Sequence, residues 1–131
     1  MQEKEIGAAV EAFAERFGTR EPFALCRAME IAVLFVPLTK NVRAFTSSAE
    51  NLTVIYLDEA LTETEQTVLL AHELGHAVLH RGLNAFFLTA RTLFPLGKFE
   101  WEADCFARFL LKNETLDLSD ADAAVRRILL P

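Results

Sequence analysis

Ile6, Val10, Phe13 and Phe17 fall 4, 3 and 4 residues apart with charged positions between them, the stripe of an amphipathic helix over residues 3–17, and Gly18 closes it. Glu21-Pro22 opens a second, short helix through Cys26 and Met29, with Pro22 near the first helical position, where its missing N–H is no loss. The run Ile31 to Val36 is apolar throughout and predicts a buried strand. Val42 to Thr46 and Thr53 to Leu57 flank a polar turn at Ser47 to Asn51 and read as paired strands. Thr62 followed by Glu65 makes a capping box and Gly82 is the expected stop, so the longest element is a helix over residues 63–81. The stretch Leu83 to Gly97 is apolar but interrupted, which suits a short helix and loop, either a hydrophobic connector or the wall of a pocket. A further helix runs from near Lys98 through Leu111, and Ser119 and Asp120 cap a last one through Leu130. The elements predict an α+β fold: a short, mostly antiparallel sheet of about three strands packed on a central helix, with further helices around it.

The chemistry lies on the central helix. His72-Glu73-Leu74-Gly75-His76 is the HExxH pattern of zinc hydrolases. Two side chains at i and i+4 leave nearly the same helix face about 6 Å apart in rise, so two imidazoles can converge on one ion. Glu73 is then placed to take a proton from the metal's water. Val68, Leu69, Leu70, Ala71, Leu74, Ala77, Val78 and Leu79 surround the motif, as in a fully buried helix. Two imidazoles and a carboxylate inside such a helix need partners, and a metal with bound water supplies them.

Composition narrows the rest. A chain of 131 residues with 52% hydrophobic content predicts one domain with its own core, residues 1–131. With 13 basic against 19 acidic residues, net charge -6, nucleic acid is not the expected partner. Cys26 and Cys105 form no CxxC pair and suggest neither a zinc knuckle nor a disulfide. The charged start Met1-Gln2-Glu3-Lys4-Glu5 is unlike a signal peptide and no apolar run reaches about 18 residues, so a soluble cytoplasmic location away from membranes is expected.

A catalytic zinc needs a third protein ligand. The histidines are His72, His76 and His80, all on one segment. His80, about 12 Å of rise beyond His72, is too far to share the ion and is expected near the cleft at the helix end. A carboxylate must therefore serve, and the helix after Gly97 offers Glu100, Glu102 and Asp104. At about 100° per residue, Glu100 and Asp104 share one flank while Glu102 falls on the other. Glu100 is favoured as ligand over Glu102, with Asp104 receiving the second ring nitrogen of a metal-bound histidine. Glu102 also suits a solvated acidic helix start. Tyr56, the one tyrosine, is a candidate for stabilising an oxyanion, set against a plain strand residue packing its ring.

With both motifs in hand, the chain resembles the ImmA/IrrE family of zinc metallopeptidases. The resemblance rests on Ala71-His72-Glu73-Leu74-Gly75-His76-Ala77-Val78-Leu79-His80, on the preceding strand to Leu57, and on Glu100-Trp101-Glu102-Ala103-Asp104-Cys105-Phe106-Ala107, which is similar to the family's ExEAN/DxFA signature. It covers most of residues 5–112. Asp104 stands where the family often has Asn, and Leu110-Leu111 lacks a frequent Met-Pro. The resemblance implies a small zincin-like domain, zinc on His72, His76 and Glu100, and water activation by Glu73. It further implies site-specific cleavage of a helix-turn-helix repressor encoded on a prophage or integrative element.

The expected reaction is hydrolysis of one peptide bond in a specific protein, with the strand Thr53 to Leu57 at a sheet edge to receive the substrate as an added strand. The competing expectation is a non-proteolytic antirepressor or toxin–antitoxin binding module whose zinc is structural. Glu73 speaks against it, because a closed structural site has four protein ligands and no use for a carboxylate there. The repressor itself, the scissile bond and the oligomeric state are not written in the sequence.

Overall fold

The computed structural model describes residues 1–39, 41–80 and 97–130. Five helices and three strands follow in order: α1 Glu3–Phe17, α2 Pro22–Ala28, β1 Ala32–Val36, β2 Ala44–Ala49, β3 Leu52–Asp58, α3 Glu63–Leu79, α4 Gly97–Leu110 and α5 Ala123–Leu129, counted among the described residues. The expected stretch Leu83 to Gly97 lies outside them except for Gly97, which opens α4, and so does the expected stop Gly82. No helix among the described residues is long and apolar enough to cross a membrane.

The α+β architecture is as expected, and its sheet is mixed. Strand order is β1-β3-β2, with β2 antiparallel and β1 parallel to β3. This places β3 at the centre and corrects the reading of Thr53 to Leu57 as an edge: both its sides are already paired, and among the described residues the outer strands are β1 and β2. The strand β1 is likewise not buried, since Leu34 and Phe35 are each 45% exposed. A continuous apolar run looks the same in a central strand and at an edge. The strand β2 runs further than expected because Ser47 and Ser48 pair with Val54 and Thr53, leaving a tight turn at Glu50 and Asn51 in which Glu50 takes a positive φ of 57°.

Alternation along the strands sends Ala44, Thr46, Ile55 and Leu57 inward, and α3 packs on that face. The helix starts where the capping box predicts: Glu65 N–H donates to Thr62 Oγ1 at 3.2 Å and Thr62 N–H to Glu65 Oε1 at 3.0 Å. The other oxygen of Glu65 accepts from the backbone of Asp122, tying the start of α3 to the start of α5. Asp122 itself, not Ser119 or Asp120, caps α5, accepting from Val125 N–H at 3.1 Å. It wins because Arg43 also holds it, bonding Asp122 at 2.8 Å and Asp58 at 3.1 Å.

The helix α4 packs against α3, α1 and α5. Its approach to α3 depends on Gly75, where a Cβ would stand 3.0 Å from Phe106 Cβ and 3.2 Å from the backbone Cα of Ala103. Gly75→Ala gains up to about 1 kcal/mol of helix propensity. It forces the helices apart at a cost of about 1–3 kcal/mol, because a backbone atom cannot turn aside. We expect the melting temperature to fall by about 3–8 °C in a thermal scan.

Candidate metal centre

The buried middle of α3 and the first turns of α4 face each other across this close contact. His72 Nε2 lies 3.1 Å from Glu100 Oε2, and His76 Nε2 lies 3.0 Å from Glu100 Oε1. One carboxylate thus closes on the same nitrogen of both rings. Glu100 Oε1 is buried without an aligned hydrogen bond, so its nearness to His76 is not that of donor to acceptor. Tetrahedral zinc with ligands at about 2.0–2.2 Å holds neighbouring ligand atoms about 3.3 Å apart. Both contacts of Glu100 with the rings are close to that spacing. His72, Glu73 and His76, whose ligand atoms lie within 4.8 Å of one another, form a looser group of the same kind. Glu73 is the odd member. Its Oε2 is 3.9 Å from His72 Nε2, while its Oε1 accepts a hydrogen bond of 2.8 Å from Thr46 Oγ1.

Charge favours a cation as strongly as geometry does. Burial works against a charge on His72, yet the carboxylates of Asp104 and Glu100 beside it, with the Glu73 carboxylate close by, push its pKa up to about 9. Burial would raise the Glu100 carboxyl, but the His72 and His76 rings hold it far below the usual carboxylate range. A metal ion bound here would have to displace a proton from these rings, and the surrounding carboxylates supply the negative charge to balance it.

Behind the rings stand further carboxylates. Asp104 Oδ1 lies 2.8 Å from His72 Nδ1, and Arg127 of α5 donates to its other oxygen. His80 turns back along α3, with its Nδ1 3.0 Å from His76 Nδ1 and its Nε2 2.8 Å from Glu102 Oε1. Glu102 also receives the amino group of Met1. It is 3% exposed, so the solvated helix start is corrected: α1 and α3 cover α4 on both sides there. Glu102 meets His80 and not the paired Nε2 atoms. Tyr56 is not brought to the site, since its ring stacks on Phe45 with centroids 4.6 Å apart, on the sheet face opposite Ile55 and Leu57.

Thr46, Arg127 and Asp122 belong to the site's surroundings and carry no local signal in the sequence. A cleft of about 580 Å³ opens beside His72, Glu73 and Glu100, walled by Asn41 to Ala44 and by Asp122 to Ala124 with Arg127 and Ile128. Cys26 and Cys105 are buried free thiols away from it, and burial pushes the Cys26 thiol up to about 12.

The "Uncharacterized immunity region protein 2" of Bacillus phage phi105 is 35% identical over 106 residues, 81% of this chain and 67% of the phage protein. No solved structure matches the chain. The family model described as the IrrE N-terminal-like domain of Peptidase_M78 matches residues 26–124, from α2 through His72, His76 and Glu100 to the start of α5. With two histidines and a glutamate converging between α3 and α4 inside the matched span, the chain belongs to the Peptidase_M78, IrrE N-terminal-like family.

Proposed function

We propose that this single-domain protein is a zinc-dependent endopeptidase of the cytoplasm that hydrolyses one peptide bond in a specific protein partner, a helix-turn-helix repressor of a prophage or mobile element. The observation that carries the reading is the division of labour between two glutamates: Glu100 closes on both histidines, while Glu73 is held back by Thr46. A closed structural site does not need the second. The family match supports a metallopeptidase, and the relative's description as an immunity region protein supports a role in phage regulation.

His72, His76 and Glu100 would hold the zinc, which supplies a Lewis acid for the scissile carbonyl and lowers the pKa of a bound water. Glu73 takes the proton of the attacking water on Oε2, the oxygen turned to the site, and passes it to the leaving amine. Thr46 keeps Oε1 occupied, so that one oxygen always faces the reaction. The substrate chain lies in the cleft and adds as a strand to β2, the outer strand among the described residues, whose Ala44 lines the cleft and whose Thr46 touches Glu73.

Thr46→Val keeps the shape and removes the hydroxyl. A hydrogen bond to a charged group contributes about 1.5–3 kcal/mol. The cleavage rate should fall about tenfold or more with zinc content unchanged, as measured by turnover alongside metal analysis; an unchanged rate would remove Thr46 from the account. The function itself is tested by incubating the zinc-loaded protein with a repressor encoded beside its gene and weighing the products. Two fragments whose masses sum to the repressor plus one water support it. An intact repressor bound in a complex contradicts it.

A further inference from the structure

We propose that His80 and Glu102 are positioning residues that dictate which ring nitrogen of His76 carries the proton and which is left to a metal. This rests on the metal reading of the site and extends it to side chains that do not touch the ion.

A carboxylate offers only acceptors, so the contact of 2.8 Å between Glu102 Oε1 and His80 Nε2 places a proton on that nitrogen. In a neutral ring the other nitrogen, Nδ1, is then an acceptor. It faces His76 Nδ1 at 3.0 Å, and a short contact between two ring nitrogens needs a proton on one of them. That proton belongs to His76 Nδ1. The Nε2 of His76, 3.0 Å from Glu100 Oε1, is then the nitrogen that carries the lone pair. Each step forces the next, from a carboxylate on α4 through His80 at the end of α3 to the ligand atom.

On the other ring a carboxylate also stands beside the far nitrogen, Asp104 Oδ1 lying 2.8 Å from His72 Nδ1, but the two are not aligned as a hydrogen bond. One histidine has a carboxylate beside its far nitrogen, and the other reaches one through an intervening imidazole. The spacing explains why. His76 lies one helical turn beyond His72, further from Asp104, and His80 one turn further still spans the gap to Glu102. Packing holds the relay in place: the His80 ring meets Phe99 edge to face with centroids 4.9 Å apart, and His80 and Glu102 are both buried.

The test is zinc affinity, measured by chelator competition on the full chain, with thermal melting of the metal-free protein as the control for folding. Groups behind a metal ligand typically contribute 10- to 100-fold in affinity. His80→Phe keeps an aromatic ring and removes the acceptor, and should weaken zinc binding about 10- to 100-fold. His80→Asn returns an oxygen near the position of Nδ1 and should recover most of the loss. Glu102→Gln, nearly isosteric, no longer forces the proton onto His80 and should weaken binding in the same direction, so it carries the test if His80→Phe melts early. Wild-type affinity in both His80→Phe and Glu102→Gln would overturn the proposal, as would His80→Asn binding as poorly as His80→Phe, because a packing role alone predicts no rescue. A wild-type protein that takes up no zinc would overturn the metal reading itself, a result distinct from any variant's.

Discussion

Glu73→Gln should retain a full equivalent of zinc and lose cleavage by about 10²- to 10⁴-fold, the range that general acid–base catalysis contributes. The amide preserves the length and planarity of the side chain, and its oxygen can still accept from Thr46 as Glu73 Oε1 does at 2.8 Å. What it cannot do is take a proton. The other side-chain atom lies 3.9 Å from His72 Nε2, further from the paired rings than the Glu100 oxygens at 3.1 and 3.0 Å. Zinc should therefore hardly notice the change. Metal analysis and a cleavage assay on one preparation check both halves, and loss of zinc together with activity would move Glu73 into the ligand set.

Glu100→Ala has the opposite signature: zinc is lost first, and cleavage with it. Glu100 is the one described carboxylate that closes on the Nε2 atoms of both His72 and His76, at 3.1 and 3.0 Å. Without it two imidazoles remain, short of the three protein ligands that catalytic zinc sites use. The fall in affinity should exceed the roughly 10- to 100-fold typical of groups behind a ligand, as read by chelator competition. Folding should survive, because Glu100 is only partly buried and carries no part of the apolar core. Affinity lowered more by Glu102→Ala than by Glu100→Ala would reverse the assignment.

The residues that could be read from the sequence are those whose neighbours lie within a turn or two of helix. The His72 and His76 pair, the Thr62 and Glu65 box, and the shared flank of Glu100 and Asp104 all follow from 3.6 residues per turn, and the structure brings each together. The rest depended on partners distant in the chain. The burial of Glu102 is set by α1 as well as α3, and helical periodicity on α4 does not say how many of its flanks are covered. The central place of β3 is set by a parallel pairing to β1, reached across β2, which turn residues cannot reveal. Ser119, Asp120 and Asp122 offer the same capping chemistry, and Arg43 and Glu65 choose among them from 79 and 57 residues away. Thr46 is an ordinary strand threonine until β2 is laid over α3, where it meets Glu73.

The central claim is that this site cuts one bond in one protein. Its most direct measurement compares protein N-termini by mass spectrometry in host cells expressing either the wild type or Glu73→Gln. The account predicts a single new N-terminus, inside a repressor-like protein and present only with the wild type. Identical N-termini in both, with a partner co-purifying equally with each form, would contradict it and make the protein a binding module.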